Sequence, residues 1–418
     1  GLFLTGCNNG NSLKSTFPEK FTDINNPGRY GFYSDRLALI DTLLTSYVDQ
    51  GVLPNALTFV AHKGMIIHNK AYGWKNMENK IPLKTDDIFR LASQTKAITS
   101  VALMTLFEEG KFLLDDPVSK YISGFKNPSV METFNEKDTT FTVRPAVREI
   151  TIRHLLTHTS GIPYGILGGG PANKIYAREN IAAVNSLEDM TIAEVVKKIA
   201  TLPLMFDPGD QYLYGMNTDV CGYLIEVISG KPLDVFFRER IFEPLGMNDT
   251  YFYLPEEKAG RLVTLYSSSP EGLVYHSNAT YQNFPVSGAK KLFLGGAGLC
   301  GTIKDYAIFC QMMLNGGTFN GRRIISRKTV ELMTMNQIGD KSISDGMKFG
   351  LGFALFGEPG AANNLVSPDA YRWGGMFHTD YIIDPEEDLI MLFFCNVHPH
   401  KGPNTHKIFR NMVYQAVM

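Results

Sequence analysis

The apolar positions at the two ends of this chain form mirrored patterns. "SDRLALIDTLLTSYVDQG", residues 34–51, puts Leu37, Ile40, Leu43, Leu44 and Val48 on one helical face. It opens on a Ser-Asp cap signal and stops at Gly51, so it predicts an amphipathic helix. "ALTFVAHKGMIIHNKAYGW" then predicts two strands joined by a turn at Lys63-Gly64. Near the C-terminus, "HTDYIIDPEEDLIMLFFCN" predicts a strand, an Asp-Pro turn and a second strand, and residues 405–418 predict a closing helix. The sequence between is helix-rich, whereas residues 8–30 are polar and turn-rich. The fold that satisfies both ends is α+β, an α/β sandwich. One antiparallel sheet is flanked by the N- and C-terminal helices and interrupted by a large all-helical insertion. The expected division is a tether over 1–30, a sheet-containing domain from 31–92 and about 335–418, and a mostly helical inserted domain from 93 to about 334. The site would lie at their interface. No internal repeat is present.

Charge narrows the partners. Lys and Arg total 40 against 42 Asp and Glu, with no basic cluster, which argues against nucleic acid and favours a small-molecule or short-polymer substrate. The five cysteines form no C-x-x-C pair. Cys221, Cys310 and Cys395 sit in apolar runs and are expected in the core. Cys7 differs, because "LFLTGC" resembles the box at which bacterial lipoproteins are cleaved and acylated. The expectation is a bacterial envelope or periplasmic protein, lipid-anchored through Cys7. No other run reaches the 18 or so apolar residues of a membrane span. Oligomeric state is left open.

Candidate chemistry centres on "RLASQTKAITS", residues 90–100. Ser-x-x-Lys occurs at Ser93–Lys96, Ser123–Lys126 and Ser287–Lys290, but only the first precedes a sustained apolar segment, "AITSVALMTLFEEGKF". One turn apart on a helix, Ser93 and Lys96 are neighbours. A helix N-terminus also favours negative charge. A serine hydroxyl needs an adjacent base to become a nucleophile. A lysine taken out of water gives up its proton more readily and can serve. The plain alternative is a helix cap beside a solvated lysine. Other patterns fall short. "HLLTH" pairs His154 with His158 but has Leu155 where a zinc-protease helix needs Glu, so both are expected to be structural. "GGGP" lacks the Gly-Lys-Ser/Thr of a phosphate loop, and "HPH" (His398–His400), with His406, reads as an exposed polar loop before a metal site.

Several long blocks, in order, resemble the serine β-lactamase and penicillin-recognising superfamily. They are "IFRLASQTKAITSVALMTLFEEGKFLLDDPVSKYI", "ITIRHLLTHTSGI", "PGDQYLYGMNTDVCGYLIEVISG", "GGAGLCGTIKDYAIFCQMMLNGG" and "YRWGGMFHTDYIIDPEEDLIMLFFCN". The match resembles class C β-lactamases, their allied D-alanyl-D-alanine carboxypeptidases and, most closely in motifs, family VIII carboxylesterases. The resemblance implies a serine acyl hydrolase working through a covalent acyl-enzyme, with Ser93 as nucleophile and Lys96 and Tyr214 managing the proton. The oxyanion hole would come from the backbone N–H groups of Ser93 and Met376, and no metal or organic cofactor would be needed.

Two departures bear on substrate. Class C enzymes show Tyr-x-Asn, but here Asn217 falls one place late after Tyr214-Gly215-Met216. The usual Lys-Thr-Gly is replaced by Trp373-Gly374-Gly375, the form seen in family VIII esterases. Arg372 is adjacent, yet neighbouring strand residues face opposite ways. An indole in place of a lysine favours small neutral esters or amides. Gly374 and Gly375 are expected to let substrate approach the strand, and His378 to border the pocket as a polar wall residue. The alternatives are a β-lactamase or D-amino-acid peptidase, a silent protein that binds cell-wall fragments, and, more remotely, a histidine metallohydrolase.

Overall fold

The computed structural model describes residues 17–182 and 184–418, so the Cys7 box lies outside the described residues. The predicted terminal strands and helices all form. Among the described residues nine strands make one sheet: β1 (Thr22–Asp23), β2 (Asn55–His62), β3 (Met65–Asn76), β4 (Ile81–Pro82), β5 (Lys348–Phe349), β6 (Ala354–Leu355), β7 (Tyr371–Gly375), β8 (Thr379–Asp384) and β9 (Leu389–Phe394). The order is β1-β3-β2-β9-β8-β7-β6-β5, with β4 added to β3, and every pair is antiparallel except β1 with β3. The two termini therefore meet at the centre, where β2 runs beside β9 with Leu57 opposite Phe394 and Phe59 opposite Leu392.

Alternation along these strands sorts side chains onto two buried faces. Leu57, Phe59, Ile390 and Leu392 pack with the inserted segment. Val60, Leu389, Met391 and Phe393 pack with Leu37, Ile40 and Leu44 of α1 (Ser34–Asp49) and with the closing helix (Thr405–Tyr414). At the heart of the first face lies α2 (Thr95–Glu108), buried from Thr95 to Leu106 on every side. A helix apolar all round belongs inside.

Three expectations need correction. The tether ends early. Thr22 donates its N–H to Gly64 at 2.9 Å and pairs with Met65 as an edge strand, and the Pro18 carbonyl accepts from Asn315. Two strand residues are too few to display a period. The inserted segment is not all-helical, since it carries the hairpins Ser129–Phe134/Phe141–Pro145 and Tyr266–Ser269/Gly272–Tyr275. Finally, α1 is capped at Tyr33 without a side-chain bond, and Ser34 is already helical. Its Asp35 still sits in the first turn, where the helix field favours a carboxylate.

Candidate active site

Ser93 sits in a short 3-10 turn, Ala92–Gln94, that leads into α2. Ala92 adopts φ 44, a left-handed conformation that a non-glycine residue holds only when its surroundings enforce it. Here Ala92 packs against Leu265 and Phe377. The turn is also pinned from the other side. Leu91 donates to the Leu299 carbonyl at 3.0 Å, the Tyr306 hydroxyl to the Gln94 carbonyl at 2.8 Å, and Leu299 to Thr95 Oγ1 at 3.0 Å.

One turn on, Lys96 is 2% exposed. Its Nζ donates to Ser93 Oγ at 3.2 Å, to the Tyr164 hydroxyl at 2.8 Å and to the Gly296 carbonyl at 2.7 Å, which uses all three protons of an ammonium. The Tyr214 hydroxyl donates to Ser93 Oγ at 2.7 Å, and Trp373 Nε1 donates to the Tyr214 oxygen at 3.3 Å. Lys96 Nζ lies 4.7 Å from the Tyr214 ring centre. Ser93, Lys96, Tyr214 and Trp373, far apart in the chain, thus form one bonded cluster. Beside it a cavity of about 480 Å³ is walled by Tyr164, Tyr214, Leu167, Ala172, Phe206 and Leu213.

The loop that brings the tyrosines together is zipped to a second one. Gly209 donates to Thr159, Leu213 to His158 and Met216 to Pro163, leaving the rings of Tyr164 and Tyr214 5.3 Å apart. His158 staples this junction, its Nδ1 accepting from Gly215 N–H at 3.2 Å and facing the Asn217 amide at 3.1 Å. Asn217 also takes the Ser160 hydroxyl. The late asparagine is therefore turned away from Ser93, as its register predicts. His154 closes a capping box with Thr151.

At the other wall, β7 ends beside the serine turn. A Cβ on Gly375 would lie 2.3 Å from the Leu91 carbonyl oxygen and 2.5 Å from Thr379 Oγ1, and one on Gly374 would lie 2.8 Å from the Thr379 carbonyl oxygen. Close packing within the protein already requires both glycines, a reason different from the substrate approach expected of them. Met376 follows at the strand end, half-buried, its backbone bonded to a His398 ring nitrogen. Arg372 pairs with Asp380, which Arg410 also contacts. It is thereby held off the serine.

His378 does not join the cluster. Its Nε2 lies 2.6 Å from Thr405 Oγ1, and its ring stacks 3.9 Å from His406 and 4.4 Å from His400. The expected exposed histidine loop is therefore a half-buried imidazole stack under the C-terminal helix, because β7, β8 and that helix converge there. Among the described residues no group of three or more His, Cys, Asp or Glu side chains is arranged to hold a metal.

Two buried groups at the site escaped sequence reasoning. Tyr164, the third partner of Lys96, follows "HTSGIP" in a loop that has no period to reveal it. Asp219 is fully buried on α3 (Asn217–Ser229) and takes the Gly296 N–H at 2.8 Å. The available signal was the one acid inside the apolar run "TDVCGYLI". Burial pushes the Asp219 carboxyl up to about 6, against the pull of the Lys96 charge and the Gly296 N–H. Burial, and then the charges of Asp219 and Tyr214, push the Tyr164 phenol well up. Burial, helped by the Lys96 charge, holds His158 well below its ordinary 6.5.

This last shift makes a stability prediction. A depressed histidine is neutral in the fold but takes a proton when unfolded below pH 6.5, so its stabilising effect is complete above 6.5 and is lost as pH falls. His158→Gln lacks that loss. The wild-type advantage over the variant should shrink by about 1.4 kcal/mol per pH unit below 6.5, read from urea unfolding at a series of pH values. A constant gap would mean that His158 is charged in the fold.

Comparison with known proteins bears on the family and the fold. A protein of Escherichia coli (strain K12), provisionally named a D-alanyl-D-alanine carboxypeptidase, is 28% identical over 409 residues, covering 90% of this chain and 87% of its own. Esterase EstB of Burkholderia gladioli is 27% identical over 373 residues, covering 86% and 90%. The solved structure of EstCE1, "a hydrolase with promiscuous acyltransferase activity", superposes with a TM-score of 0.77 at 23% identity, covering 91% of this chain and 99% of that one, and so shares the fold. The profile of the Beta-lactamase family matches residues 40–411, and the chain belongs to that family.

Proposed function

We propose that this protein is a serine hydrolase of small neutral esters that works through a covalent acyl-enzyme on Ser93. The observation that carries the ester preference is Trp373. Where the resemblance expects a lysine, an uncharged indole donates to the Tyr214 oxygen at 3.3 Å, and the neighbouring Arg372 is committed to Asp380. Among the described residues, the cation touching Ser93 is Lys96, with its protons already directed at three acceptors. Among the described residues an anionic β-lactam or peptide C-terminus finds no free charge to meet it there. The largely apolar cavity beside Tyr164 and Tyr214 suits an uncharged group.

In this mechanism the reactive form of the cluster carries one proton fewer than Ser93–OH, Tyr214–OH and the Lys96 ammonium together. Tyr214 gives its hydroxyl proton to solvent, and the phenolate oxygen, held by the Trp373 N–H and the Lys96 charge, takes the proton of Ser93 as Oγ attacks the ester carbonyl. The negative oxygen that develops is met by the backbone N–H groups of Ser93 and Met376. Collapse breaks the bond to the alcohol oxygen, which receives the proton back through Tyr214 and Lys96. Water, losing a proton to the same pair, then attacks the acyl carbon and releases the acid and free Ser93.

A second reading, cleavage of a β-lactam or a D-alanyl peptide, has the family and the E. coli relative in its favour. Parallel assays of p-nitrophenyl butyrate, nitrocefin and a D-alanyl-D-alanine peptide separate the two. The ester should be turned over at least about 100-fold faster in kcat/KM, since an unmet charge costs several kcal/mol in a desolvated site. Faster nitrocefin or peptide turnover would refute the argument from Trp373.

A further inference from the structure

The Lys96 ammonium is buried, and such a charge requires a counter-charge close by. Among the described residues no carboxylate bonds to it directly, but one lies a single residue away. Gly296 offers its carbonyl to Lys96 Nζ at 2.7 Å and its N–H to an Asp219 carboxylate oxygen at 2.8 Å. The second Asp219 oxygen is buried with no hydrogen-bond partner among the described residues. A Cβ on Gly296 would lie 2.4 Å from that oxygen, so no other residue type fits between carboxylate and lysine. The groups facing this carboxylate are Lys96 from α2, Tyr164 from the loop before the cavity and Cys221 on its own helix, with Tyr214 and His158 next to Tyr164 and Lys96. Lys96 is the one cation in that set when His158 is neutral.

We infer that Asp219 is the positioning residue of the site, fixing the aim and balancing the charge of Lys96 through the two backbone groups of Gly296. The inference rests on the reading of Ser93 and Lys96 given above. It makes two separable demands. Removing the carboxylate loosens the Gly296 anchor, so Lys96 is aimed less well and the maximal reactivity of Ser93 falls. Removing a negative charge also makes it easier for the Ser93–Lys96–Tyr214 group to lose its proton, so reactivity survives to lower pH. A residue that only packs would change the first quantity and leave the second alone. Burial keeps the Asp219 proton on up to about pH 6, so the two profiles should diverge above that pH.

The test is the rate of covalent labelling by a fluorophosphonate probe between pH 5 and 9, which needs no knowledge of the substrate. Wild type, Asp219→Asn and Ser93→Ala are compared, with thermal melts to confirm folding. The asparagine keeps the shape and can still accept the Gly296 N–H; Asp219→Ser, also uncharged, takes its place if it does not fold. The expected result is a plateau rate about 10-fold lower, with the acid-side midpoint moved down by about one pH unit. An unmoved midpoint, or one moved upward, overturns the inference while leaving Ser93 as nucleophile. A wild type that is not labelled, or labelling that survives Ser93→Ala, overturns both the inference and the reading beneath it.

Discussion

Ser93→Ala should lower kcat/KM for p-nitrophenyl butyrate by at least about four orders of magnitude while leaving the melting temperature nearly unchanged. Removing one hydroxyl opens almost no cavity at this half-buried position, but it deletes the atom on which Lys96 and Tyr214 converge at 3.2 and 2.7 Å. Tyr214→Phe retains the ring that packs 5.2 Å from Trp373 and 4.8 Å from His158, so it should fold normally and lose about 10²- to 10⁴-fold, the range of general acid–base catalysis. Lys96→Met fills similar volume but leaves the Tyr164 hydroxyl and the Gly296 carbonyl without their donor, so it should cost about 1–3 kcal/mol of stability for each as well as activity. The decisive result is the combination. Adding Tyr214→Phe or Lys96→Met to Ser93→Ala should cost no further activity, because the three act as one unit. Independent, additive losses would show that the lysine and tyrosine serve something other than the Ser93 proton.

The parts of this arrangement that were legible in the sequence are those carried by a short continuous run of residues. The strands around Leu57–Ala61 and Leu389–Phe394 announced themselves as short apolar runs bounded by turn signals, and both come from the chain ends, so the sheet and its flanking helices were legible. Ser93 and Lys96 were legible for a similar reason, being one turn apart at the head of a long apolar helix. Tyr164 was not, because its place depends on two loops, 157–164 and 209–216, whose pairing leaves no local signature. Asp219 was hidden in another way. A single acid in an apolar run reads as a helix-surface residue until the fold shows that every side of that helix turn is covered. The histidines at 378, 400 and 406 were misread because their burial comes from tertiary convergence, not from their own polar, turn-rich segment. Chemistry carried by one helix is visible in one dimension; chemistry assembled from loops and distant strands is not.

Gly375→Ala is the second substitution expected to have a large effect, and it tests the half of the site that has no side chain. An added methyl would lie 2.3 Å from the Leu91 carbonyl oxygen and 2.5 Å from Thr379 Oγ1, closer than real contacts allow. Leu91 cannot retreat easily: its N–H is bonded to Leu299 at 3.0 Å, and the next residue is already held at φ 44 by Leu265 and Phe377. Thr379 is fully buried in β8. The end of β7 must therefore swing away from the serine turn, taking the Met376 N–H with it. If that N–H and the Ser93 N–H together hold the oxyanion, an ångström of separation forfeits most of one donor, about 10²- to 10³-fold in kcat. The effect should fall on kcat more than on KM, since the charge it meets exists only in the transition state. Fluorophosphonate labelling of Ser93 should slow in step, because the phosphonyl oxygen needs the same two donors, while circular dichroism reports a retained fold. A Gly375→Ala enzyme with wild-type kcat would place the oxyanion donors elsewhere than at the junction of the serine turn and β7.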